Sequence, residues 1–438
     1  MRIQGPSPIS GELTVPADKS VSHRALIFAA LAEGESTIEG LLESKDVLST
    51  AGCLQSLGVA IERRGAGSWR VAGRGARGFV EAAQVLDCGN SGTTARLMLG
   101  VLSALPLTST FTGDRYLCAR PMARVVEPLV RAGARVMGRG GDALLPLTLR
   151  GGSLKPLDFQ MPVASAQLKS CLLLAALSSE GTWRVTEPAP TRDHTERMLA
   201  GAGVKLQRDG LTVSLTGPQA PRPQAMRVVG DISSAAFWIA AGLLAADGEL
   251  VLSGVNTNPT RTGILDVVRA MGGHLVVEEG APVSGEPQGR LRMRRSELVG
   301  TRIAGDLIPR LIDELPVIAV MACFARGVTE IRDATELRKK ECDRIKALCA
   351  ELPKLGAQVR EEPDGLTITG TGRLTGAVVD SHEDHRIAMA LAIAALAAHG
   401  STTIERAHCV DISYPEFWRD LARVAPRAID PGPDPHMS

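Results

Sequence analysis

The chain has 438 residues and a formal net charge of +1. Its length exceeds that of a typical single domain, and its near-neutral charge disfavours a nucleic-acid-binding protein, which usually carries a basic surplus. The longest apolar run, IAMALAIAALAA at 387–398, is shorter than the roughly 20 residues that span a bilayer, and the N-terminus lacks a signal-peptide pattern. We therefore expect a cytoplasmic protein without nucleic-acid or membrane partners.

The eight cysteines are scattered without a CxxC pair, and neither HxxxH nor HExxH occurs. This pattern favours reduced thiols and gives no support for a metal site. The chain also lacks a Walker-type phosphate loop and a GxGxxG segment after a strand. The sequence therefore predicts no cofactor.

An apolar run rich in Ala and Leu recurs six times along the chain. Each run follows a polar opening, ends at a Gly or Pro and leads into a β-branched stretch. The closing residues are Gly34, Pro106, Gly181, Gly248, Gly327 and Gly400. Their mean spacing is about 73 residues, one sixth of the chain, which is typical of an internal repeat.

Each apolar run predicts a helix, because Gly readily adopts the left-handed conformation that ends helices. These helices should be buried, since the runs are apolar on almost every side. The stretches that follow, such as STIEGL and TWRVTE, alternate in polarity and predict strands. LDVVRAMGGHLVVE and VVEPLVRAGARVMG predict an additional amphipathic helix and strand within their repeats.

A Pro-rich stretch, TGPQAPRPQAM, ends just before Val229 and separates three repeats from three. We therefore expect two similar halves. Tandem repeats fit either a solenoid or buried helices ringed by sheets, and the residues alone do not choose between them. The Pro-rich segment 425–438 predicts a disordered tail.

Charged and polar residues gather in the openings that precede the apolar runs. These openings contain Asp18, Lys19, Ser20, Arg24, Asn90, Ser91, Gly92, Thr93, Arg96, Ser165, Gln167, Lys169, Asp231, Asp313, Glu314, Asp384 and Arg386. The Ser, Thr, Asn and Asp residues have an ordinary role as helix N-caps. Arg24, Arg96 and Arg386 oppose the helix dipole, so each requires either a carboxylate partner or a bound anion.

Another charged cluster, ELRKKECDRIKAL, lies between the fifth and sixth repeats. Spacings of three and four residues predict that Lys340, Glu341 and Arg344 share one helical face. A solvated charged helix is the ordinary interpretation, but the cluster lies between Asp313 and Asp384 in the chain. Charges of both signs brought together by the repeats would suit acid–base chemistry on anionic substrates.

Ten segments occur in order between residues 16 and 390: PADKSVSHRALIFAAL, DCGNSGTTARL, ARPMARVVEPL, PVASAQLKSCLLLAAL, EPAPTRDHTERM, GDISSAAF, NPTRTG, IDELPVIAV, ELRKKECDRI and SHEDHRIAMA. Together they resemble the 5-enolpyruvylshikimate-3-phosphate (EPSP) synthase family, and TRDHTE and SHR resemble its bacterial class II branch. The resemblance implies transfer of the carboxyvinyl group of phosphoenolpyruvate to the 5-hydroxyl of shikimate 3-phosphate. The reaction would pass through a tetrahedral intermediate and release phosphate, in the shikimate pathway to chorismate and aromatic amino acids.

The same resemblance implies an α/β fold of two domains, each an inverse α/β barrel with three βαβαββ-type repeats. It places an N-terminal domain at 14–228, mainly on the shikimate 3-phosphate side. The C-terminal domain would combine 1–13 with 229–438 and carry the acid–base and phosphoenolpyruvate side. We expect a monomer that acts on these two small molecules and binds the inhibitor glyphosate.

The resemblance also assigns site residues. Shikimate 3-phosphate should contact Lys19, Ser20, Arg24, Ser165, Ala166, Gln167, Arg192, Asp313 and Lys340. Phosphoenolpyruvate should contact Lys19, Asn90, Gly92, Thr93, Arg120, Gln167, Arg344 and Arg386. Asp313 should be the base for the 5-hydroxyl, while Glu341 and Lys19 are candidates to protonate and deprotonate the methylene carbon.

Three positions depart from the family pattern. Ile412, in ISYPEF, replaces a Lys of several members, which removes one expected phosphoenolpyruvate contact. Ala17 replaces a Gly and Cys342 a Thr, and both changes are expected to be minor.

Two other functions compete with this assignment. A related transferase acts on UDP-N-acetylglucosamine, but it carries Asn where this chain has Ser20. It also has a reactive Cys five residues before its Arg-Pro pair, whereas Cys118 lies two residues before Arg120. A noncatalytic repeat scaffold is the second alternative, and the mixed charges of the openings disfavour it.

Overall fold

A computed structural model describes residues 1–429 of the protein. The strands are β1 (Arg2–Gly5), β2 (Ile9–Thr14), β3 (Glu33–Glu39), β4 (Ala60–Gly65), β5 (Ser68–Arg74), β6 (Leu86–Asp87), β7 (Thr108–Thr112), β8 (Arg135–Gly138), β9 (Leu144–Arg150), β10 (Asp158–Gln160), β11 (Gly181–Thr186), β12 (Leu206–Asp209), β13 (Thr212–Gly217), β14 (Ala225–Arg227), β15 (Ala246–Asn256), β16 (His274–Glu279), β17 (Gln288–Arg294), β18 (Arg302–Ile303), β19 (Gly327–Ile331), β20 (Gln358–Glu362), β21 (Gly365–Gly370), β22 (Val378–Asp380) and β23 (Gly400–Glu405).

The helices are α1 (Lys19–Leu31), α2 (Lys45–Ser56), α3 (Gly92–Ser103), α4 (Ala123–Ala132), α5 (Arg139–Asp142), α6 (Ala166–Ser178), α7 (His194–Gly201), α8 (Ile232–Ala245), α9 (Gly263–Ala270), α10 (Leu315–Phe324), α11 (Arg344–Glu351), α12 (His385–Ala397) and α13 (Phe417–Val424). Short 3-10 segments lie at Ala76–Gly78, Leu117–Ala119, Gly305–Arg310, Thr335–Lys339, Leu352–Leu355 and Ala407–Ile412.

The chain forms two units, each with its own hydrophobic core. The N-terminal unit contains Ala17–Val229 and Pro282–Glu286, and the C-terminal unit contains Met1–Pro16, Gly230–Ala281 and the residues from Pro287 on. The sequence predicts boundaries at 13/14 and 228/229, whereas the structural boundaries lie at 16/17 and 229/230. The assignment of 282–286 to the N-terminal unit differs from the sequence prediction, because this segment packs against α7.

The N-terminal unit contains three four-stranded sheets, with strand orders β14-β3-β5-β4, β6-β7-β9-β8 and β10-β11-β13-β12. In its second repeat, β6 leads through α3 to the parallel strand β7, and α4 then leads to the antiparallel pair β8 and β9. This is the predicted βαβαββ order. The first repeat takes its outer strand, β14, from the end of the unit, so the repeats close on themselves.

The C-terminal unit also has three sheets: the four-stranded sheets β16-β17-β15-β2 and β18-β19-β21-β20, and the three-stranded sheet β1-β23-β22. Strand β1 pairs antiparallel with β23, with Arg2 opposite Thr403, and β2 pairs parallel with β15. The first residues of the chain therefore complete sheets of the C-terminal unit. Pairing of strands from distant ends of the chain excludes the solenoid alternative.

Three central helices fill each unit: α1, α3 and α6 in the N-terminal unit, and α8, α10 and α12 in the C-terminal unit. Every residue from Leu168 to Leu177 of α6 is buried, as the apolar composition predicts. Helices α3 and α6 pack closely at Gly100, where an added Cβ would lie 2.3 Å from the carbonyl oxygen of Cys171. The longer outer helices, such as α4, bury only one face.

The prediction of disorder over 425–438 is wrong for its first five residues. Ala425 and Ala428 are buried, and Ala428 accepts a backbone hydrogen bond from Gln4 at 2.7 Å. Ile429 forms a bridge with Ile3 of β1. The segment is ordered because it packs against the first strand, and the rest of the predicted tail lies outside the described residues.

Within residues 1–429, none of the helices combines the length and apolarity required to cross a membrane. The same part of the chain contains no group of three His, Cys, Asp or Glu side chains arranged to hold a metal ion. All eight cysteines are free thiols.

Candidate active site

The N-terminal ends of the three central helices meet in the N-terminal unit. Gln167, near the start of α6, donates to Thr93 Oγ1 of α3 at 3.1 Å and accepts from Arg96 Nη1 at 2.8 Å. Arg24 of α1 donates from Nη2 to Ser170 Oγ of α6 at 2.8 Å. These hydrogen bonds place the positive ends of three helix dipoles together.

The polar residues that begin these helices act as N-caps, as predicted. Asp18 Oδ1 accepts from the backbone N–H of Val21 at 2.9 Å. Ser91 and Ser165 cap α3 and α6 in the same way. The caps fix the helix starts, so the adjacent residues Lys19, Gly92 and Ala166 have defined positions.

Arg24 and Arg96 are buried, with 3% and 4% exposure, and the groups to which they donate hydrogen bonds are neutral. Arg24 donates to Thr195 Oγ1 at 2.7 Å and to the carbonyl of Ser20 at 2.9 Å. Arg96 donates to Gln167 and to the carbonyl of Pro121 at 3.1 Å. Within residues 1–429 neither guanidinium forms an ion pair with a carboxylate. Burial lowers the pKa of Arg24 to about 10 and that of Arg96 to about 9. Direct salt bridges therefore do not hold either guanidinium in the described residues, and Glu196, Asp18 and Glu286 act on Arg24 only through longer-range charge.

Lys19, the first residue of α1, forms an ion pair with Asp46 of α2. The distance from Nζ to Oδ2 is 3.2 Å, and both side chains are partly buried. Burial would raise the pKa of Asp46, but Lys19 and then His23 outweigh it, and the pKa is lowered. Sequence reasoning missed Asp46, because nothing in the local pattern connects residues 27 positions apart.

Arg120 is held near the start of α3 by Asn90. Its Nη2 donates to Asn90 Oδ1 at 3.0 Å, and Asn90 Nδ2 donates to Asp114 at 2.6 Å. A Cβ added at Gly92 would lie 2.6 Å from Arg96 Nη1 and 3.8 Å from Arg120 Nη1. The missing side chain at Gly92 thus allows the Arg96 guanidinium to lie against the start of α3, with Arg120 nearby.

A buried charged network includes residues of α6 and α7, and the half-buried Arg192 lies two residues before α7. Lys169 Nζ contacts Glu187 at 2.9 Å and Glu196 at 2.7 Å, and its side chain is fully buried. His194 Nδ1 lies 2.8 Å from Glu286 Oε1, also with both side chains buried. Sequence reasoning did not connect Glu286 with this site.

In the C-terminal unit, three carboxylates surround Arg344, which is only 1% exposed. Its Nε contacts Asp384 at 2.8 Å, Nη2 contacts Glu341 at 2.7 Å and Nη1 lies 3.5 Å from Asp313. Burial would lower the pKa of Arg344, but Asp384, Glu341 and Asp313 together raise it above the ordinary value. Lys340 Nζ approaches Asp313 at 3.2 Å. Two of the predicted acid–base residues, Asp313 and Glu341, are therefore assembled around a permanent cation.

The central helix starts also meet in the C-terminal unit. Ser233 of α8 donates to Glu314, the N-cap of α10. Arg386 of α12 donates from Nη1 to the carbonyl of Asp313 at 3.3 Å, and its backbone N–H donates to the N-cap Asp384 at 2.8 Å. Within the described residues, the Arg386 guanidinium also forms no ion pair with a carboxylate.

The prediction that Lys340, Glu341 and Arg344 share one helix is wrong. Helix α11 begins at Arg344, and Asp343 caps it by accepting from the backbone N–H of Lys346 at 3.0 Å. Lys340 has an extended backbone. The helix begins after the N-cap Asp343 and not further upstream. Glu341 therefore lies outside the helix, but it still forms an ion pair with Arg344.

The predicted residues thus form two clusters. The N-terminal unit contains Lys19, Ser20, Arg24, Asn90, Gly92, Thr93, Arg120, Ser165, Ala166, Gln167 and Arg192. The C-terminal unit contains Asp313, Lys340, Glu341, Arg344 and Arg386. Six of the eight predicted phosphoenolpyruvate residues belong to the N-terminal cluster, so that set is not confined to the C-terminal unit.

The three departures from the family pattern have different surroundings. Ile412 is 45% exposed at the end of a 3-10 segment and adds no charge. The thiol of Cys342 lies 3.7 Å from Asp384, and burial raises its pKa to about 12. Ala17 packs against the core of the N-terminal unit.

Solved structures share this fold. The enolpyruvyl transferase NikO from Streptomyces tendae matches with a TM-score of 0.79 at 20% identity, covering 98% of this chain and 97% of that one. An EPSP synthase from Acinetobacter baumannii matches with a TM-score of 0.89 at 39% identity, covering 97% of both chains. The fold is therefore that of the enolpyruvyl transferases, with the predicted three repeats in each unit.

Sequence comparison identifies the family within this fold. A family model described as EPSP synthase (3-phosphoshikimate 1-carboxyvinyltransferase) matches residues 3–421. A 3-phosphoshikimate 1-carboxyvinyltransferase from Gloeobacter violaceus is 54% identical over 417 residues, which cover 95% of this chain and 96% of the relative. The chain belongs to the EPSP synthase family, and the resemblance found in the sequence is confirmed.

Proposed function

We propose that the protein transfers the carboxyvinyl group of phosphoenolpyruvate to the 5-hydroxyl of shikimate 3-phosphate and releases phosphate. The observation that carries this proposal is the pair Arg24 and Arg96, which are buried beside converging helix N-termini and hydrogen-bond to neutral oxygens. Guanidinium groups in such a setting suit the phosphate and carboxylate oxygens of the two substrates. Membership of the EPSP synthase family supports this particular chemistry.

The contacts proposed for shikimate 3-phosphate follow the family resemblance. They are Lys19, Ser20, Arg24, Ser165, Ala166, Gln167, Arg192, Asp313 and Lys340. The phosphate lies on the side of Ser165 and Arg192, where the start of α6 offers backbone N–H groups to an anion. Asp313 contacts the ring hydroxyls, and Lys340 supports the ring.

Phosphoenolpyruvate binds to a second set of predominantly cationic residues. Its contacts are Lys19, Asn90, Gly92, Thr93, Arg120, Gln167, Arg344 and Arg386. The geometry around Gly92 supports this assignment, since the guanidinium groups of Arg96 and Arg120 both lie close to it. Arg344 keeps its charge, because neighbouring carboxylates raise its pKa.

Addition and elimination each require one proton transfer at carbon. In the first step the oxygen of the 5-hydroxyl bonds to C2 of phosphoenolpyruvate, and Asp313 accepts the proton of that hydroxyl. Glu341 or Lys19 protonates the methylene carbon at the same time. In the second step the C2–O bond to phosphate breaks, and the same acid–base group removes a proton from the resulting methyl group. The double bond is thereby restored, the acid–base group regains its proton, and the proton held by Asp313 leaves with the released phosphate.

The proposal extends to inhibition, assembly and location. Glyphosate, a mimic of phosphoenolpyruvate, enters the space beside Gly92 and inhibits competitively with phosphoenolpyruvate. The protein is a cytoplasmic monomer, which light scattering of the purified protein and fractionation of the source cells would test.

One assay discriminates among the candidate functions. Phosphate release from phosphoenolpyruvate is measured with shikimate 3-phosphate or UDP-N-acetylglucosamine as the acceptor. We expect phosphate release only when shikimate 3-phosphate is the acceptor. Phosphate release only with UDP-N-acetylglucosamine as the acceptor would support the activity of the related transferase. No phosphate release with either acceptor would favour a noncatalytic scaffold.

A further inference from the structure

A hairpin with strands in one unit has its tip in the other. Strands β16 and β17 belong to the C-terminal unit, whereas Pro282–Glu286 between them belongs to the N-terminal unit. The chain therefore crosses between the units at this hairpin, in addition to the crossings after Pro16 and Val229. The residues of the tip are consequently part of the surroundings of the N-terminal cluster.

The tip has a tightly defined conformation against α7. Val283 and Glu286 exchange two backbone hydrogen bonds, of 2.8 and 2.9 Å. Gly285 has a φ of +85°, and a Cβ there would lie 2.6 Å from the carbonyl oxygen of Arg197. Ser284 Oγ accepts from the backbone N–H of Arg227 at 3.0 Å. These contacts fix the position of the Glu286 side chain.

Glu286 contacts the start of α7. Its Oε1 lies 2.8 Å from Nδ1 of His194, the first residue of the helix, and neither side chain is exposed. The next residue, Thr195, accepts the 2.7 Å hydrogen bond from Arg24, and Arg192 precedes the helix by two residues. Glu286 thus anchors the turn that carries Arg192 of the proposed shikimate 3-phosphate site and the Thr195 hydroxyl that holds Arg24.

Charge gives Glu286 a second effect on the same site. Burial lowers the pKa of Arg24, while Glu196, Asp18 and Glu286 act in the opposite direction. A site for a phosphate dianion needs buried cations, and in the absence of the dianion these cations need compensation from carboxylates. Glu286 supplies part of that compensation from beyond the hydrogen-bonding shell of Arg24.

We propose that Glu286 is a positioning residue for shikimate 3-phosphate, acting through His194 on the turn at 191–195. This proposal rests on the proposed function, because it concerns the same substrate site. The pair contributes to the affinity for shikimate 3-phosphate, while phosphoenolpyruvate binding depends on other residues.

The test compares the full-length protein with Glu286→Gln, which preserves size but removes the negative charge. We expect the Kd and KM for shikimate 3-phosphate to rise about tenfold. The KM for phosphoenolpyruvate and kcat at saturating shikimate 3-phosphate should change less than about threefold. His194→Gln should have the same effect, and the double variant should be no worse than either single variant, because the two residues act as one unit.

A matched control is Glu278→Gln in the same hairpin, where the carboxylate forms an exposed pair with Arg292. It should bind shikimate 3-phosphate normally. If the wild type is active and Glu286→Gln binds shikimate 3-phosphate with an unchanged Kd, the inference is overturned. An equal rise in the KM values for shikimate 3-phosphate and phosphoenolpyruvate in Glu286→Gln would also overturn it. If Glu286→Gln does not fold, His194→Gln decides by the same criteria. Wild-type protein that neither binds shikimate 3-phosphate nor releases phosphate contradicts the proposed function itself.

Discussion

Asp313 lies between two cations, with Lys340 Nζ at 3.2 Å and Arg344 Nη1 at 3.5 Å from its Oδ1. In the proposed reaction it accepts the proton of the 5-hydroxyl. Asp313→Asn preserves the shape but cannot accept that proton, so we expect kcat to fall by about 10²- to 10⁴-fold. Phosphate release at saturating substrates measures this loss.

The control for Asp313→Asn is Asp306→Asn, which removes an exposed carboxylate from the preceding 3-10 segment. It should retain normal turnover. Thermal unfolding of both variants should resemble that of the wild type. Near-normal phosphate release by a folded Asp313→Asn variant would contradict the role of Asp313 as the base.

Gly92 provides a second prediction for a single residue. In Gly92→Ala the new Cβ would displace the end of the Arg96 side chain, which lies 2.6 Å from the Cβ position. We expect the KM for phosphoenolpyruvate to rise about tenfold and glyphosate inhibition to weaken, while the Kd for shikimate 3-phosphate stays within about twofold. Steady-state kinetics and isothermal titration calorimetry measure these values. Equal weakening for both substrates would contradict a phosphoenolpyruvate role for Gly92.

Which individual residues could be predicted depends on the range of their interactions. Asp18 and Ser91 were recognisable as N-caps, because a cap bonds to a backbone group within three residues. Asp46 and Glu286 were not recognised, since their partners Lys19 and His194 are 27 and 92 positions away. Tertiary folding alone brings such carboxylates to the site.

At the scale of secondary-structure elements, the packing of α3 against α6 depends on Gly100. A Cβ at this position would lie 2.3 Å from the carbonyl oxygen of Cys171 and 2.9 Å from its Cα, and backbone atoms cannot move aside easily. We expect Gly100→Ala to lower the free energy of unfolding by about 1–3 kcal/mol despite the better helix propensity of Ala. Urea unfolding measures the change.

Gly52→Ala is the matched control for this helix contact. Gly52 also lies inside a helix, α2, but an added Cβ there would have no neighbour within 4 Å. The substitution should therefore stabilise the protein by about 0.5–1 kcal/mol. Stabilisation by both substitutions would show that α3 and α6 are less closely packed than the structure indicates.

The central helices could be predicted because their burial on all sides is visible in local composition, as in α12. The start of α11 could not be predicted, because the charged pattern is compatible with a helix that begins upstream and with one that begins after the N-cap Asp343. Closure of the repeats was also beyond sequence reasoning from the residues alone. It depends on β1 pairing with β23, about 400 residues later in the chain.

At the scale of the whole molecule, each unit buries a histidine within one of its central helices. His23 lies in α1 of the N-terminal unit, with Nδ1 2.7 Å from Thr50 Oγ1. His385 lies in α12 of the C-terminal unit, and within the described residues neither of its ring nitrogens has a hydrogen-bond partner. Burial lowers the pKa of both histidines to about 3. Both are therefore neutral in the folded protein at neutral and mildly acidic pH.

This burial predicts acid destabilisation of both units. As the pH falls below about 6.5, the unfolded chain binds protons at His23 and His385, whereas the folded protein does not until about pH 3. Each histidine should therefore reduce the free energy of unfolding by about 1.4 kcal/mol per pH unit within this window. Urea unfolding at pH 7, 6 and 5 measures how the free energy of unfolding changes with pH. His23→Gln and His385→Gln should each remove the contribution of one histidine to this pH dependence. Each unit has its own core, so the two units can unfold in separate steps. In that case, the two variants should each affect a different step. A His385→Gln variant with the full wild-type slope would show that His385 is protonated in the folded protein or that its burial is lost.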